Sequence, residues 1–485
     1  QLGLDQFWAQ RLPPNRKGTR WDWVLQVLVA YRLIDPGSEW RLYRHWYEHS
    51  AMADLLGADQ ELAEIHKLYE CHEHLLEHKR ELFTHLTGRW KDLFNAKFEV
   101  LLYDLTSTYF ESDPPFPEED KRRYGYSRDK RSDCVQVVIA LIVTPEGFPL
   151  AYEVLSGNTS DKATLAGFLQ KIQDQYGKAQ RVWVMDRGIP TEKVLEQMRA
   201  SDPPVQYLVG TPRGRLSQYE QKLLELPWQI VREGVSVKLL SEDSELYVLA
   251  QSRDRVHKER AMRRRQLKGL WQRLKKLQAM KLKRDALLKK LGAALHTYPV
   301  AARLLDPTVL PKEAKLTFTL CKDKLRQARK REGRYLLRTN ITSGRTAEEL
   351  WQFYIQLTEV EAAFKNLKDD LALRPIYHQL EHRIEAHIFL SFLAYCLHIT
   401  LRRRLRDLAP GLTARSVLGK FATVQMLDVH LPTTDERTVI LSRYTHPETD
   451  VQLLLQQLKL ELPAQPPPKI IRPKLPDNLA AVVKT

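Results

Sequence analysis

The residues best suited to chemistry are two aspartates that follow apolar runs and one glutamate in a helical pattern. Val100-Leu101-Leu102-Tyr103 leads into Asp104, with Thr106, Ser107 and Thr108 beyond it. Val182-Trp183-Val184-Met185 leads into Asp186, Arg187 and Gly188 in the same way. Four or five β-prone residues in a row predict a strand buried on both faces. A carboxylate there is costly unless a cation compensates it. Taken singly, either Asp reads as a turn residue closing a strand. Two strands delivering acids to one end of a sheet read better as a metal site. The third acid, Glu361, lies among Val360, Ala362 and Ala363, with Lys365 and Lys368 following. Seven residues make nearly two helical turns, so Tyr354, Glu361 and Lys368 fall on one face at steps of about 10 Å. A surface Glu–Lys helix would share that spacing.

Three acids packed together cannot all stay ionised without cations. An all-oxygen set selects Mg2+, with Mn2+ as a substitute, over zinc. Two such ions about 3.5–4 Å apart activate a water or a 3′-hydroxyl and stabilise the leaving oxygen of an in-line displacement at phosphorus. Asp104, Asp186 and Glu361 are therefore expected to be both metal ligands and catalytic residues.

The elements that must position them follow from the hydrophobic pattern. Residues 1–98 predict a helical N-terminal region, with Trp23, Val24, Val27, Leu28 and Tyr31 at helical spacing. Its tryptophans and arginines serve either a DNA-binding module or a helical core. Cys71, His74 and His78 at i, i+3 and i+7 could face a metal but lack a fourth ligand. From 99 to 212 strands and helices alternate. After the Asp104 strand, Val135–Val143 and Leu150–Val154 flank Pro145-Glu146-Gly147 as a hairpin. A helix from about Ala163 to Tyr176, the Asp186 strand, a helix from Thr191 to Ala200 and a strand Gln206–Gly210 follow. That order is the order of a ribonuclease H-like α/β core.

Residues 213–345 form an insertion, with strands at Val235–Leu240, Leu246–Ala250 and Tyr335–Thr339. They bracket a basic helical stretch, Arg253–Lys290, with one apolar stripe through Leu270, Trp271, Leu274 and Leu277. Arg263, Arg264 and Lys275 on it are expected to meet phosphates. Residues 346–405 return to the core with the Glu361 helix, Trp351 to Asp369, and an apolar helix, Ile384–Leu401. Residues 406–462 predict a helical C-terminal region suited to dimerisation. A Pro-rich basic tail, 463–485, is expected to be extended or disordered.

Composition bounds the partners. The 485 residues carry a net charge of +16, as expected for a protein that binds a polyanion. The four cysteines lie far apart, which fits a reducing cytoplasm rather than a disulfide framework. No apolar run is expected to span a bilayer, and no signal peptide is expected at the start of the chain. The chain begins with Gln1, so its natural start is expected upstream.

With those residues in view, the chain resembles the DDE transposases of bacterial insertion sequences, in the branch with a Tyr-Arg-Glu-Lys signature. The signature falls on Tyr354, Leu357, Glu361 and Lys368, so Leu357 replaces the arginine and Lys365 is its nearest substitute. The blocks Tyr103–Phe110, Asp186-Arg187-Gly188, Gly125–Asp129 and Gly157–Asp161 match as well. The resemblance implies binding to double-stranded DNA, both transposon terminal inverted repeats and target, by a homodimer on the bacterial nucleoid. It implies strand cleavage and strand transfer, with Tyr354, Lys365, Lys368 and Arg187 on DNA. Relatives with such an insertion stack a flipped base on an aromatic, and Trp228 or Trp271 would supply it unless both are core. Two other readings stay open: a nuclease of the same fold that cuts without joining, and a transposase-derived DNA-binding protein without catalysis.

Overall fold

The β-rich centre begins with an 11-residue strand, β1 (Val100–Phe110), nine of whose residues are buried. The structure, a computed structural model, describes every residue except 15, 17, 115, 311–314, 436 and 472–485. It divides into two compact units, Gln1–Arg181 with Gln356–Thr485, and Val182–Ile355.

In the first unit β1 pairs antiparallel with β2 (Val135–Val143), Asp104 standing opposite Leu141. β2 pairs antiparallel with β3 (Pro149–Ser156). All nine residues of β2 are buried, as an unbroken Val/Ile/Leu run requires when both faces are covered. The expected hairpin is present, turning at Gly147 with φ +92°. One cover of this sheet is the 28-residue helix Glu381–Leu408. Phe392 stacks flat on Tyr152 of β3 at 4.0 Å between ring centroids. The Tyr395 hydroxyl donates to the Gly147 carbonyl at 2.7 Å. By length and composition this helix could cross a membrane, which corrects the expectation that no apolar run is long enough. Its apolar window is 78% buried inside the protein, so the length fills a core. Against it also pack the N-terminal helices Trp21–Ile34 and Ile65–Glu73. Trp8, Trp21 and Trp90 are buried there, so those aromatics are core residues.

In the second unit β4 (Val182–Met185) lies parallel to β5 (Gln206–Gly210). The sheet continues through β11 (Arg334–Thr339), β8 (Glu245–Ser252), β7 (Val235–Glu242) and β6 (Gln229–Arg232), all antiparallel. Between β8 and β11 the chain forms the helices Arg253–Ala279 and Arg284–Thr297 and the hairpin β9 (Leu305–Val309) and β10 (Leu316–Leu320). Leu270, Leu274, Leu277, Leu287, Leu291 and Leu316 make a separate core there. An ion network braces the sheet, the buried Arg338 bridging the buried Glu245 and the exposed Glu192.

The C-terminal region of the first unit is not all helical. Between the helices Ala414–Phe421 and Thr449–Leu458 stand β12 (Met426–Pro432) and β13 (Thr438–Tyr444). Val429 and Leu431 alternate with polar residues, a period-2 pattern that favours strand. β14 (Lys469–Ile471) adds to β13, so the first part of the expected tail is paired. Its remainder, from 472, lies outside the described residues.

Gly125 and Gly157 hold the loop after β1 against the end of β3. A Cβ on Gly157 would sit 1.9 Å from the Gln136 carbonyl oxygen and 2.5 Å from that of Arg123. Gly157→Ala is expected to cost about 1–3 kcal/mol, because backbone must move. Gly167→Ala, with open space at a helical site, should be neutral or stabilising by about 0.5–1 kcal/mol. Urea unfolding of the two variants checks the contrast.

Candidate catalytic site

The first unit carries two of the three expected acids. Asp104 is not at a strand end: β1 runs on through it to Phe110, and its Oδ1 accepts the Leu105 amide at 2.8 Å. Its side chain stays half-buried rather than enclosed. Glu361 lies on the helix Leu357–Lys365, which packs on β1 and β2 through the same face as Val360, Ala363 and Phe364. Glu361 itself is exposed. Adjacent elements of one unit thus hold Asp104 and Glu361.

The second unit carries the other acid. Asp186 follows β4 directly and is exposed in a turn, its carbonyl accepting the Ile189 amide at 3.2 Å. Arg187 is exposed beside it. Tyr354, at the end of the helix Ala347–Ile355, stacks on Tyr335 with 5.9 Å between centroids. Burial, and after it the charge of Asp186, push the Tyr354 phenol up from its ordinary value. Its hydroxyl leans on Gly210, where a Cβ would stand 2.8 Å away. Glycine at the end of β5 therefore makes room for the tyrosine beside Asp186 and Arg187.

The expected single helix from Trp351 to Asp369 is broken. One helix ends at Ile355, the next runs Leu357–Lys365, and Asn366–Asp370 widens into a π turn. The π turn adds a residue per turn, so Asn366, Leu367 and Lys368 are all buried in succession. Lys368 is thereby turned inward rather than offered to solvent. Its ammonium meets Asp129 at 2.8 Å, and Arg374 holds the same carboxylate. Burial lowers the Lys368 pKa, and Asp129 only partly restores it. Lys365 is exposed.

Asp129 belongs to the Gly125–Asp129 block, which is tied to the Gly157–Asp161 block by Arg128 and Asp161 at 2.6 Å. The Arg128 amide donates to Ser107 Oγ of β1 at 3.2 Å. Both blocks therefore brace the strand that carries Asp104.

On the helix Arg253–Ala279, Arg264 and Lys275 are exposed, whereas Arg263 is buried in an ion pair with Glu332. Arg263 is thus engaged inside the unit, because it shares the inner face with Leu270, Leu274 and Leu277. Trp271 meets Phe318 edge-on at 4.8 Å, and Trp228 lies under Lys238 and Arg334. Both tryptophans are 37% exposed.

Cys71, His74 and His78 do not gather as a metal set. The helix ends at Glu73, the Cys71 thiol faces the Trp21 carbonyl at 3.9 Å, and the two rings pack on Trp21 and Trp8. A different group, missed in the sequence, does gather. Ligand atoms of Glu39, His378 and His387 lie within 4.8 Å of one another, all buried. His72 stands beside them, its Nε2 3.8 Å from Glu39 Oε1. Burial pushes His72 down to about 3 and His387 down to about 4, so both rings are neutral near pH 7. Four positions so far apart carry no spacing signal; the one hint was a histidine inside the apolar run at 387.

Residues 96–397, more than half of the chain, match the family model described as "Transposase DDE domain". Among solved structures the chain is similar to a cryo-EM structure of the piggyBac transposase synaptic complex with hairpin DNA. The identity is 10% and the TM-score 0.36, over 86% of this chain and 78% of that one. No curated protein matches the chain.

Lys368→Ala should cost about 3 kcal/mol, because a buried carboxylate loses one of its two cations. Lys365→Ala, at an exposed site, should stay within about 0.5 kcal/mol of the parent. Equal urea midpoints for the two variants would show that the Lys368–Asp129 pair does not hold the turn.

Proposed function

The chain belongs to the Transposase DDE domain family, and on that footing we propose that it binds the ends of a mobile element and catalyses DNA strand cleavage and strand transfer. The observation that carries this reading is that the family match spans Asp104, Asp186 and Glu361 together. DDE transposases use divalent metal ions, and three carboxylates that are exposed or half-buried are a hard-oxygen donor set fit for two Mg2+ or Mn2+. When bound, such ions activate the attacking hydroxyl and steady the leaving oxygen.

The chain's own residues orient the DNA. Arg187 and Tyr354 lie at the carboxyl ends of β4 and β5 and would hold the scissile strand. Lys365 replaces the missing signature arginine at Leu357 as a phosphate contact. Lys368 serves from within, fixing the Asp129 loop behind the Asp104 strand, and is a positioning residue. Arg264 and Lys275 offer phosphate contacts that place the duplex without reading its sequence. The antiparallel β1–β3, the parallel β4–β5 pair and the helix bearing Glu361 support a ribonuclease H-like core with an insertion. The signature residues Tyr354, Glu361 and Lys368 support the bacterial insertion-sequence branch, acting as a homodimer on nucleoid DNA in the cytoplasm. The N-terminal helices of 1–98 would take part in end binding and the 406–462 region in dimerisation.

The decisive experiment is cleavage and joining of DNA bearing the element's own ends, with Mg2+, by the parent and by Glu361→Ala. The variant should lose at least about a hundredfold in both steps, roughly 2.7 kcal/mol of barrier, while still binding the ends. Cleavage without joining by the parent would mark a nuclease. Full activity in the variant would remove Glu361 from the ligand set.

Binding should weaken steeply with salt. Arg264→Ala should lower the slope of log K against log salt by about 1. Arg263→Ala should instead lower the melting temperature, since its buried partner Glu332 keeps only Arg260 at 3.5 Å. A flat salt response would exclude phosphate-driven binding.

A further inference from the structure

Away from the DDE acids, the first unit buries a polar group that strand chemistry does not use. Glu39 opens a short helix, His72 lies near the end of Ile65–Glu73, His378 precedes the long helix, and His387 sits within it. They are 5%, 0%, 9% and 5% exposed. Glu39 Oε1 and both ring nitrogens of His72 have no hydrogen-bond partner among the described residues. Buried polar atoms are seldom left unmet, and several in one place call for an occupant.

The spacing says which kind. One oxygen, Glu39 Oε1, has His378 Nε2 at 3.4 Å, His72 Nε2 at 3.8 Å and His387 Nδ1 at 3.8 Å. The two longer separations exceed a hydrogen bond. All three are near the distance of about 3.3–3.6 Å between two ligand atoms on one tetrahedral ion with bonds of about 2.0–2.2 Å. His72 falls outside the tightest group of three, and a small ring movement would bring it in as the fourth ligand.

We propose that Glu39, His378 and His387, with His72 completing the set, bind one transition-metal ion of the Zn2+ class, distinct from the ions of the DDE acids. Three imidazoles and one carboxylate suit Zn2+ or Co2+ and are poor ligands for Mg2+. The ion ties three sequence-distant segments together: the short helix opened by Glu39, the His72 helix and the long helix that covers β3. Its work is structural. Arg32 is the competing occupant, with Nη2 3.7 Å from Glu39 Oε1 and 3.4 Å from His387 Nδ1. Its Nη1 already donates to the Ala372 carbonyl at 3.4 Å, which gives the guanidinium a place to swing when the ion enters.

The test uses the full chain, stripped with chelator and then titrated with Co2+ in excess Mg2+. One equivalent should bind with the intense visible bands of a tetrahedral site, and Zn2+ should displace it. Zn2+ should raise the melting temperature where Mg2+ does not. His378→Asn should weaken the ion at least about tenfold. The proposal is overturned if the parent chain retains less than about a tenth of an equivalent after desalting. It is equally overturned if His378→Asn or His387→Asn, folded by circular dichroism, keeps the parent affinity. Metal retention by the parent chain is measured directly, so it decides the matter even where a variant fails to fold.

Discussion

The first unit depends on burying the helix Glu381–Leu408 along most of its length. From Ala386 to Cys396 every side chain is removed from solvent. A helix that is apolar all round must be covered on every side, so it recruits the N-terminal helices and β3 at once. Phe392 on Tyr152 and the Trp90 indole donating to Thr400 at 2.9 Å tie it to both covers. Further along, Leu405 and Ala409 pack with Val417, Leu454 and Leu458, so the C-terminal helices close its other end. The strand that carries Asp104 gains its rigidity from this arrangement, since β1 is paired to β2, and β2 to β3.

Buried charge is the second constraint. Each unit encloses carboxylates that are tolerable only because cations are built around them: Asp129 between Lys368 and Arg374, Glu245 between Arg199 and Arg338. Removing one partner costs far more than the pair contributes. Such groups therefore specify loop positions more than they add stability. The acids proposed for the DDE set differ. Asp186 and Glu361 are exposed and Asp104 half-buried, so none of the three is enclosed as the Asp129 and Glu245 side chains are.

The hydrophobic pattern made the strands around Asp104 and Asp186, the hairpin at Gly147 and the apolar helix after Ile384 legible from residue order. Each depends on neighbours within a few positions. The pattern failed where a contact from far along the chain overrode local preference. The π turn at Asn366–Asp370 bends a regular helix so that Lys368 reaches Asp129, 239 residues earlier. Arg263 looks like any other residue of a basic helix until Glu332 is folded beneath it. The strand β12 carries the alternation of Leu427, Val429 and Leu431 with polar residues, but β12 and β13 stand between two helices, and so short a period-2 stretch does not outweigh them.

By itself the sequence determined the chemistry on offer: three carboxylates with oxygen donors, a basic insertion and the blocks that mark a DDE transposase. Residue type sets ligand hardness and charge, and both survive without coordinates. Only the tertiary structure decided which cations are engaged inside the protein and which remain for a partner, because an ion pair depends on distance rather than on order in the chain. It alone assembled Glu39, His72, His378 and His387. Four residues scattered over most of the chain become one site when the helices that carry them are packed around a single long apolar core.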